Sequence, residues 1–70
     1  MNKKINDFVV FCMEIYKAEK NISGKEVYEL FEKYGVLKYL QDGYDMLHTQ
    51  GDSWLISDID KFLEVRGYKD

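Results

Sequence analysis

One histidine and one cysteine carry most of the acid–base and nucleophilic chemistry open to this chain. Histidine side chains titrate near neutral pH, so His48 could transfer protons, and a Cys12 thiolate could attack an electrophile. The two residues lie on different predicted helices, and Cys12 falls on an apolar face, where a thiol without nearby positive charge is inert. We expect Cys12 to be a small core residue and His48 to bond carbonyl groups at a helix end. The sequence therefore predicts no catalytic residues and no enzyme.

Three aspartates, Asp52, Asp58 and Asp60, raise the question of a metal site. Their order lacks the alternating oxygen ligands, central glycine and terminal glutamate of a calcium loop. One histidine with a distant cysteine serves zinc poorly. Asp58 and Asp60 fit better as acidic residues in the first turn of a helix. The pair Gly24-Lys25 lacks the earlier glycine of a phosphate-binding loop, so we expect no metal and no cofactor.

The charge balance limits the classes of partner. Ten basic and thirteen acidic side chains are interleaved along the chain and give a net charge of −3. Nucleic-acid-binding proteins neutralise phosphates with clustered lysines and arginines, so nucleic acid is a disfavoured partner. The longest apolar run, Phe8 to Met13, is far too short to span a bilayer. We therefore expect one small domain, residues 1–70, without a membrane segment and located in the cytoplasm.

The clearest structural signal is a helix start at Ser23. Its hydroxyl can accept a hydrogen bond from the backbone N–H of Glu26, whose carboxylate can accept one from the N–H of Ser23. Ile22 and Val27 flank this capping box at the positions of a hydrophobic staple. Apolar residues at helical spacing then predict an all-α fold, a compact bundle of four short helices. The predicted helices cover about 4–19, 24–34 and 36–49, and a last one runs from Ser57 to Gly67 after a short extended segment near 53–56.

Five side chains remain once the apolar faces are assigned to the core, and they predict a contact surface for a protein partner. Val10 falls on the polar side of the first helix, with Met13 at its border. Tyr39 and Trp54 are aromatic residues beyond what four short helices need, and such residues often anchor interfaces. His48 lies at the rim of the third helix. Two alternatives are a first helix that contacts several neighbours and tyrosines that lie flat over the rim of the core.

Without a catalytic set, the sequence favours a small non-catalytic domain that binds another protein. The alternative is an acidic helix-turn-helix regulator that binds DNA, built from the second and third helices around Gly35. In that arrangement Asp42 and Asp45 would face phosphates, which is electrostatically costly. A third possibility is a homo-oligomeric structural module.

Seven short segments carry a resemblance to a known family. They are Ile15-Tyr16-Lys17, Lys20-Asn21, Ser23-Gly24-Lys25-Glu26-Val27, Tyr34-Gly35-Val36-Leu37, Tyr39-Leu40, Tyr44-Asp45-Met46-Leu47-His48-Thr49 and Asp58-Ile59-Asp60. This pattern resembles a family of short bacterial domains of unknown function, over about residues 8–63. Some of its members lack the break at Gly51, so two shapes for residues 50–57 stay open.

Members of that family are often encoded beside a protein that resembles ADP-ribosyltransferases. The resemblance therefore implies an accessory or antitoxin-like partner of such an enzyme, in a toxin–antitoxin or phage-defence module. It transfers no catalytic residue to this chain, because none is established for the family.

Overall fold

A computed structural model describes residues 2–69, and five α-helices account for 78% of them, with no strand in that range. The helices are α1 (Lys3–Lys20), α2 (Gly24–Lys33), α3 (Val36–Asp42), α4 (Tyr44–Leu47) and α5 (Asp52–Val65). The all-α prediction is confirmed, and the number of helices is five rather than four. No helix within this range combines the length and the apolar character that a bilayer crossing requires.

The predicted start of α2 is present in full. The Ser23 hydroxyl accepts a hydrogen bond from the Glu26 backbone N–H at 3.1 Å, and the Glu26 carboxylate accepts one from the Ser23 N–H at 3.0 Å. The hydrogen bond that the Ser23 backbone N–H donates lowers the pKa of Glu26, because it favours the ionised carboxylate. Local sequence alone therefore determines where this helix begins.

The predicted extended segment near 53–56 is wrong, because α5 begins five residues before Ser57. Gly51 takes the extended N-cap conformation, with φ −79° and ψ 168°. Leu55, Ile59 and Leu63 follow at four-residue spacing, and each is at most 1% exposed. Burial of this stripe brings the whole segment into one helix, so Ser57 lies in its second turn rather than at its start.

The predicted third helix is divided at Gly43 into α3 and α4. A Cβ atom at this glycine would lie 2.8 Å from Leu47 Cδ1 and 3.2 Å from the carbonyl oxygen of Tyr39. Leu47 is fully buried and has little freedom to move away. Glycine is therefore favoured at position 43 for two reasons: the helix is interrupted there, and the Leu47 side chain lies too close for a Cβ atom.

The core lies between α1 and the other long helices. α1 packs against α2, α3 and α5, so the alternative of a first helix with several neighbours is confirmed. Packing on three sides gives one continuous core in a domain with few residues to spare. The buried residues are Phe8, Val9, Cys12, Tyr16, Val27, Phe31, Val36, Leu40, Leu47, Leu55, Ile59 and Leu63.

Replacement of Gly35 by alanine is expected to lower the free energy of unfolding by about 1 kcal/mol. Gly35 connects α2 to α3 with a φ of +78°, a conformation in which a side chain is strained. Gly51 is the matched control, because its φ is −79° and a Cβ at either glycine meets no atom within 4 Å. Urea denaturation of Gly35→Ala and Gly51→Ala measures the difference. Equal midpoints for the two variants would show that the positive φ carries no cost.

Candidate functional site

Two aspartates hold opposite sides of α5. Asp60 accepts hydrogen bonds from the Tyr16 hydroxyl at 2.7 Å and from the Lys20 ammonium at 2.9 Å, both on α1. Asp58 accepts one from the Tyr39 hydroxyl of α3 at 2.6 Å. Asp58 and Asp60 are two positions apart, and such residues point about 200° apart around a helix axis. The helices α1 and α3 therefore flank α5 on different sides. The helix-start role predicted for these aspartates is wrong, since both lie inside α5.

The outer face of α5 exposes large apolar side chains. Trp54, Asp58, Lys61 and Val65 recur at helical spacing, and Trp54 and Val65 are 43% and 81% exposed. The first three, with Ser57, line a shallow cavity of about 120 Å³. Exposed tryptophan next to charged side chains is typical of surfaces that bind other proteins.

An aromatic stack continues this face toward α3. The Tyr39 and Phe62 rings are stacked, with their centroids 4.3 Å apart and their planes inclined by 25°. Arg66 directly follows the last residue of α5, and its guanidinium carbon lies 3.8 Å from the centroid of the Phe62 ring. Burial and the hydrogen bond to Asp58 raise the pKa of Tyr39 to about 12, so its hydroxyl stays protonated at neutral pH.

We call this region the α3–α5 surface. It includes a groove of about 310 Å³ between the two helices. The groove is lined by Gly35, Lys38, Tyr39, Asp42, Phe62 and Arg66. Trp54, Asp58, Lys61 and Val65 complete the surface along α5. Tyr39, Asp58 and Arg66 are held by contacts within the chain, which reduces the entropy lost when a partner binds.

The structure brings together two of the five predicted partner-binding residues. Asp58 hydrogen-bonds Tyr39 and lines the same small cavity as Trp54, so both residues belong to the α3–α5 surface. Val10 is 48% exposed on α1, and Met13 packs partly buried against the core. Neither of these two residues lines the groove or the small cavity.

His48 has the helix-end position predicted for it. Its Nδ1 atom lies 2.6 Å from the carbonyl oxygen of Tyr44, and its ring stacks on the Tyr44 ring with centroids 4.3 Å apart. Donation to the carbonyl requires the proton on Nδ1, which fixes the orientation of the ring. These contacts explain the conformation of His48 at the end of α4 without a partner.

Sequence reasoning missed Phe62 and Arg66 as surface residues. Phe62 follows Ile59 at helical spacing, which predicts a place on the apolar core face, although Phe62 lies at the edge of the core and is only partly buried. The signal available in the sequence is the four-residue spacing of Phe62 and Arg66, which allows a cation–π contact along a helix. The stacking of Phe62 on Tyr39 needs the packing of α3 on α5 and leaves no such signal.

Cys12 is fully buried, as predicted for a core residue. Burial, with a smaller contribution from the negative charge of Asp52, raises the pKa of its thiol to about 12. A thiol that stays protonated at neutral pH is a poor nucleophile. Within residues 2–69, no group of three or more His, Cys, Asp or Glu side chains is placed to hold a metal ion.

Native protein is expected to react with iodoacetamide at least about a hundredfold more slowly than denatured protein, because Cys12 must be exposed by unfolding before it reacts. Mass spectrometry of the alkylated protein over time measures this ratio. The control carries Ser53→Cys in a Cys12→Ala background, since Ser53 is exposed on α5. This variant should react at the same rate when folded and when unfolded. Rapid alkylation of native Cys12 would contradict the buried assignment.

Comparisons with known proteins identify a family but no activity. Residues 7–66 match the model of a family described as a protein of unknown function, DUF3791. No curated protein and no solved structure matches the chain. The match includes the α3–α5 surface, from Gly35 to Arg66, and confirms the predicted membership in a family of unknown function. The chain belongs to the DUF3791 family.

Proposed function

We propose that this domain is a non-catalytic protein-interaction module and that it contacts its partner through the α3–α5 surface. The main support is the exposure of Trp54 and Val65 on the outer face of a helix whose inner face is fully packed. Tryptophan contributes large binding energies at the centres of interfaces. The Phe62–Tyr39 stack extends this apolar area across two helices. A partner that covered these side chains would remove apolar surface from water.

The proposed partner is an enzyme that resembles ADP-ribosyltransferases and is encoded beside this protein. The support is the family resemblance described above, which implies an accessory or antitoxin-like role in a toxin–antitoxin or defence module. The domain would then restrain the enzyme by covering part of its surface. Such a role needs shape and contact only, which agrees with a protonated and buried Cys12 thiol and a His48 ring bonded to its own helix.

DNA binding is less well supported as the function. α3 would be the recognition helix of a helix-turn-helix, but it has only seven residues. Its Lys38 ammonium lies 3.2 Å from the Asp42 carboxylate and is therefore already paired. A carboxylate on the same face would repel phosphates. A gel shift at low salt is the direct measurement of this alternative.

Trp54→Ala is expected to weaken the complex with the neighbouring enzyme by about tenfold or more, because the indole is a large exposed apolar group of the proposed contact. The test is co-expression and affinity purification of the pair, followed by calorimetry. Tyr28→Ala is the matched control, since Tyr28 is also aromatic and 48% exposed but lies on α2. Circular dichroism should show both variants folded. Absence of a complex, or equal losses in the two variants, would remove the proposal.

A further inference from the structure

An ordered guanidinium group lies at the edge of the groove between α3 and α5. Arg66 stacks on Phe62, Phe62 stacks on Tyr39, and the Tyr39 hydroxyl is held by Asp58 at 2.6 Å. Stacking over a ring occupies the flat face of a guanidinium and leaves its in-plane N–H groups available for hydrogen bonds. A fork of this kind matches the two oxygens of a carboxylate.

The carboxylates around this group already have partners. The Asp58 carboxylate accepts a hydrogen bond from the Tyr39 hydroxyl, and the Asp42 carboxylate lies 3.2 Å from the Lys38 ammonium. Glu64 lies on another side of α5, where it lines a different cavity with Asp60. Within residues 2–69, neither Arg66 nor Lys61 forms an ion pair with an acidic side chain.

The charge of the α3–α5 surface is opposite in sign to that of the whole chain. The surface carries three basic residues, Lys38, Lys61 and Arg66, and two acidic ones, Asp42 and Asp58. The chain as a whole has ten basic and thirteen acidic residues. An acidic partner is therefore attracted to this surface and repelled by much of the rest of the protein.

We propose that the groove binds an acidic segment of the partner protein, with a carboxylate on Arg66 and an apolar side chain against the Phe62–Tyr39 stack. This assignment rests on the proposed function and names the chemistry of the partner's contacting residues. Lys61, between Trp54 and Val65 on α5, would attract a second carboxylate of the same segment. Arg66 acts here as a binding residue and not as a catalytic one.

The test is an NMR titration of the full chain with a capped peptide of sequence Leu-Glu-Phe-Asp-Leu. We expect saturable shifts in the amide signals of α3 and of the second half of α5, and weaker binding as salt is added. Arg66→Gln should lower the affinity by about tenfold, because the charged hydrogen bonds are lost. Arg66→Lys should restore only part of it, since an ammonium lacks the fork. The matched control is Lys33→Gln, which removes a cation that also stacks on a ring, that of Tyr34, but on α2.

The peptide Leu-Gln-Phe-Asn-Leu separates the charge from the apolar contact. Loss of binding with this peptide supports the carboxylate assignment, and equal binding of both peptides overturns it. Equal affinity of Arg66→Gln and Lys33→Gln for the acidic peptide also overturns it. If the neighbouring enzyme binds through Trp54 while the acidic peptide does not bind, this inference falls and the proposed function stands. If the peptide binds as described but the enzyme does not, the acidic-segment site stands and the proposed enzyme partner falls.

Discussion

Phe31→Ala is expected to lower the free energy of unfolding by about 3–5 kcal/mol, which is comparable to the whole stability of a domain of this size. Phe31 is fully buried, and its ring packs against that of Tyr16 with centroids 5.4 Å apart. Removal of the ring loses buried apolar area and leaves a cavity between α1 and α2. Far-UV circular dichroism over a urea titration measures this loss. The variant should already have lost much of its helix signal at the start of the titration, before urea is added.

The control for this variant is Glu29→Ala, on the same helix but exposed. Surface substitutions of this kind usually change the free energy of unfolding by less than about 0.5 kcal/mol. A Phe31→Ala protein with a urea midpoint close to that of Glu29→Ala would show that the ring is not part of the stabilising core. Phe31→Leu should fall between the two, because it retains part of the buried volume.

Asp60→Ala is expected to lower the free energy of unfolding by about 2 kcal/mol, since hydrogen bonds to a charged group contribute about 1.5–3 kcal/mol. The carboxylate accepts hydrogen bonds from Tyr16, which is 1% exposed, and from Lys20. The two contacts connect α5 to α1. They join side chains that are separated by 44 positions (Tyr16 and Asp60) and by 40 positions (Lys20 and Asp60) in the chain. Urea denaturation followed by tryptophan fluorescence measures the loss.

A double-mutant cycle isolates the contact between Asp60 and Tyr16. We expect Tyr16→Phe and Asp60→Ala to be non-additive by about 1 kcal/mol, because each removes the same hydrogen bond. Asp42→Ala is the control, as it breaks only an exposed ion pair with Lys38 within one helix. Additive losses in the cycle, or an equal loss in Asp42→Ala, would contradict the role assigned to Asp60.

Features that depend on a few neighbouring residues could be predicted from the sequence. The capping box of Ser23 and Glu26 and the turn at Gly35 involve residues within four positions of each other. The apolar spacing of α1 likewise identified Cys12 as a core residue. The contact of His48 with the Tyr44 carbonyl is also local, since it joins residues four positions apart, and the sequence predicted it as a helix-end contact.

The start of α5 could not be predicted, because its local signals conflict. Trp54, Leu55 and Ile56 form an apolar run without a clear period, and Ser57 followed by Asp58 looks like a helix start. The conflict is resolved by the buried stripe of α5, which gains more from packing against α1 and α3 than a cap at Ser57 would contribute. Tertiary contacts therefore overrode a valid local signal.

The sequence by itself determined the helical class, the first two long helices and the presence of aromatic residues beyond the needs of the core. Only the tertiary structure decided that Tyr39 and Trp54 share a surface with Arg66, that Asp58 and Asp60 hold opposite sides of α5, and that Val10 lies elsewhere. The physical reason is the range of the interactions. Capping and helical periodicity act between neighbours in the chain, whereas the surface is assembled by the packing of α3 on α5.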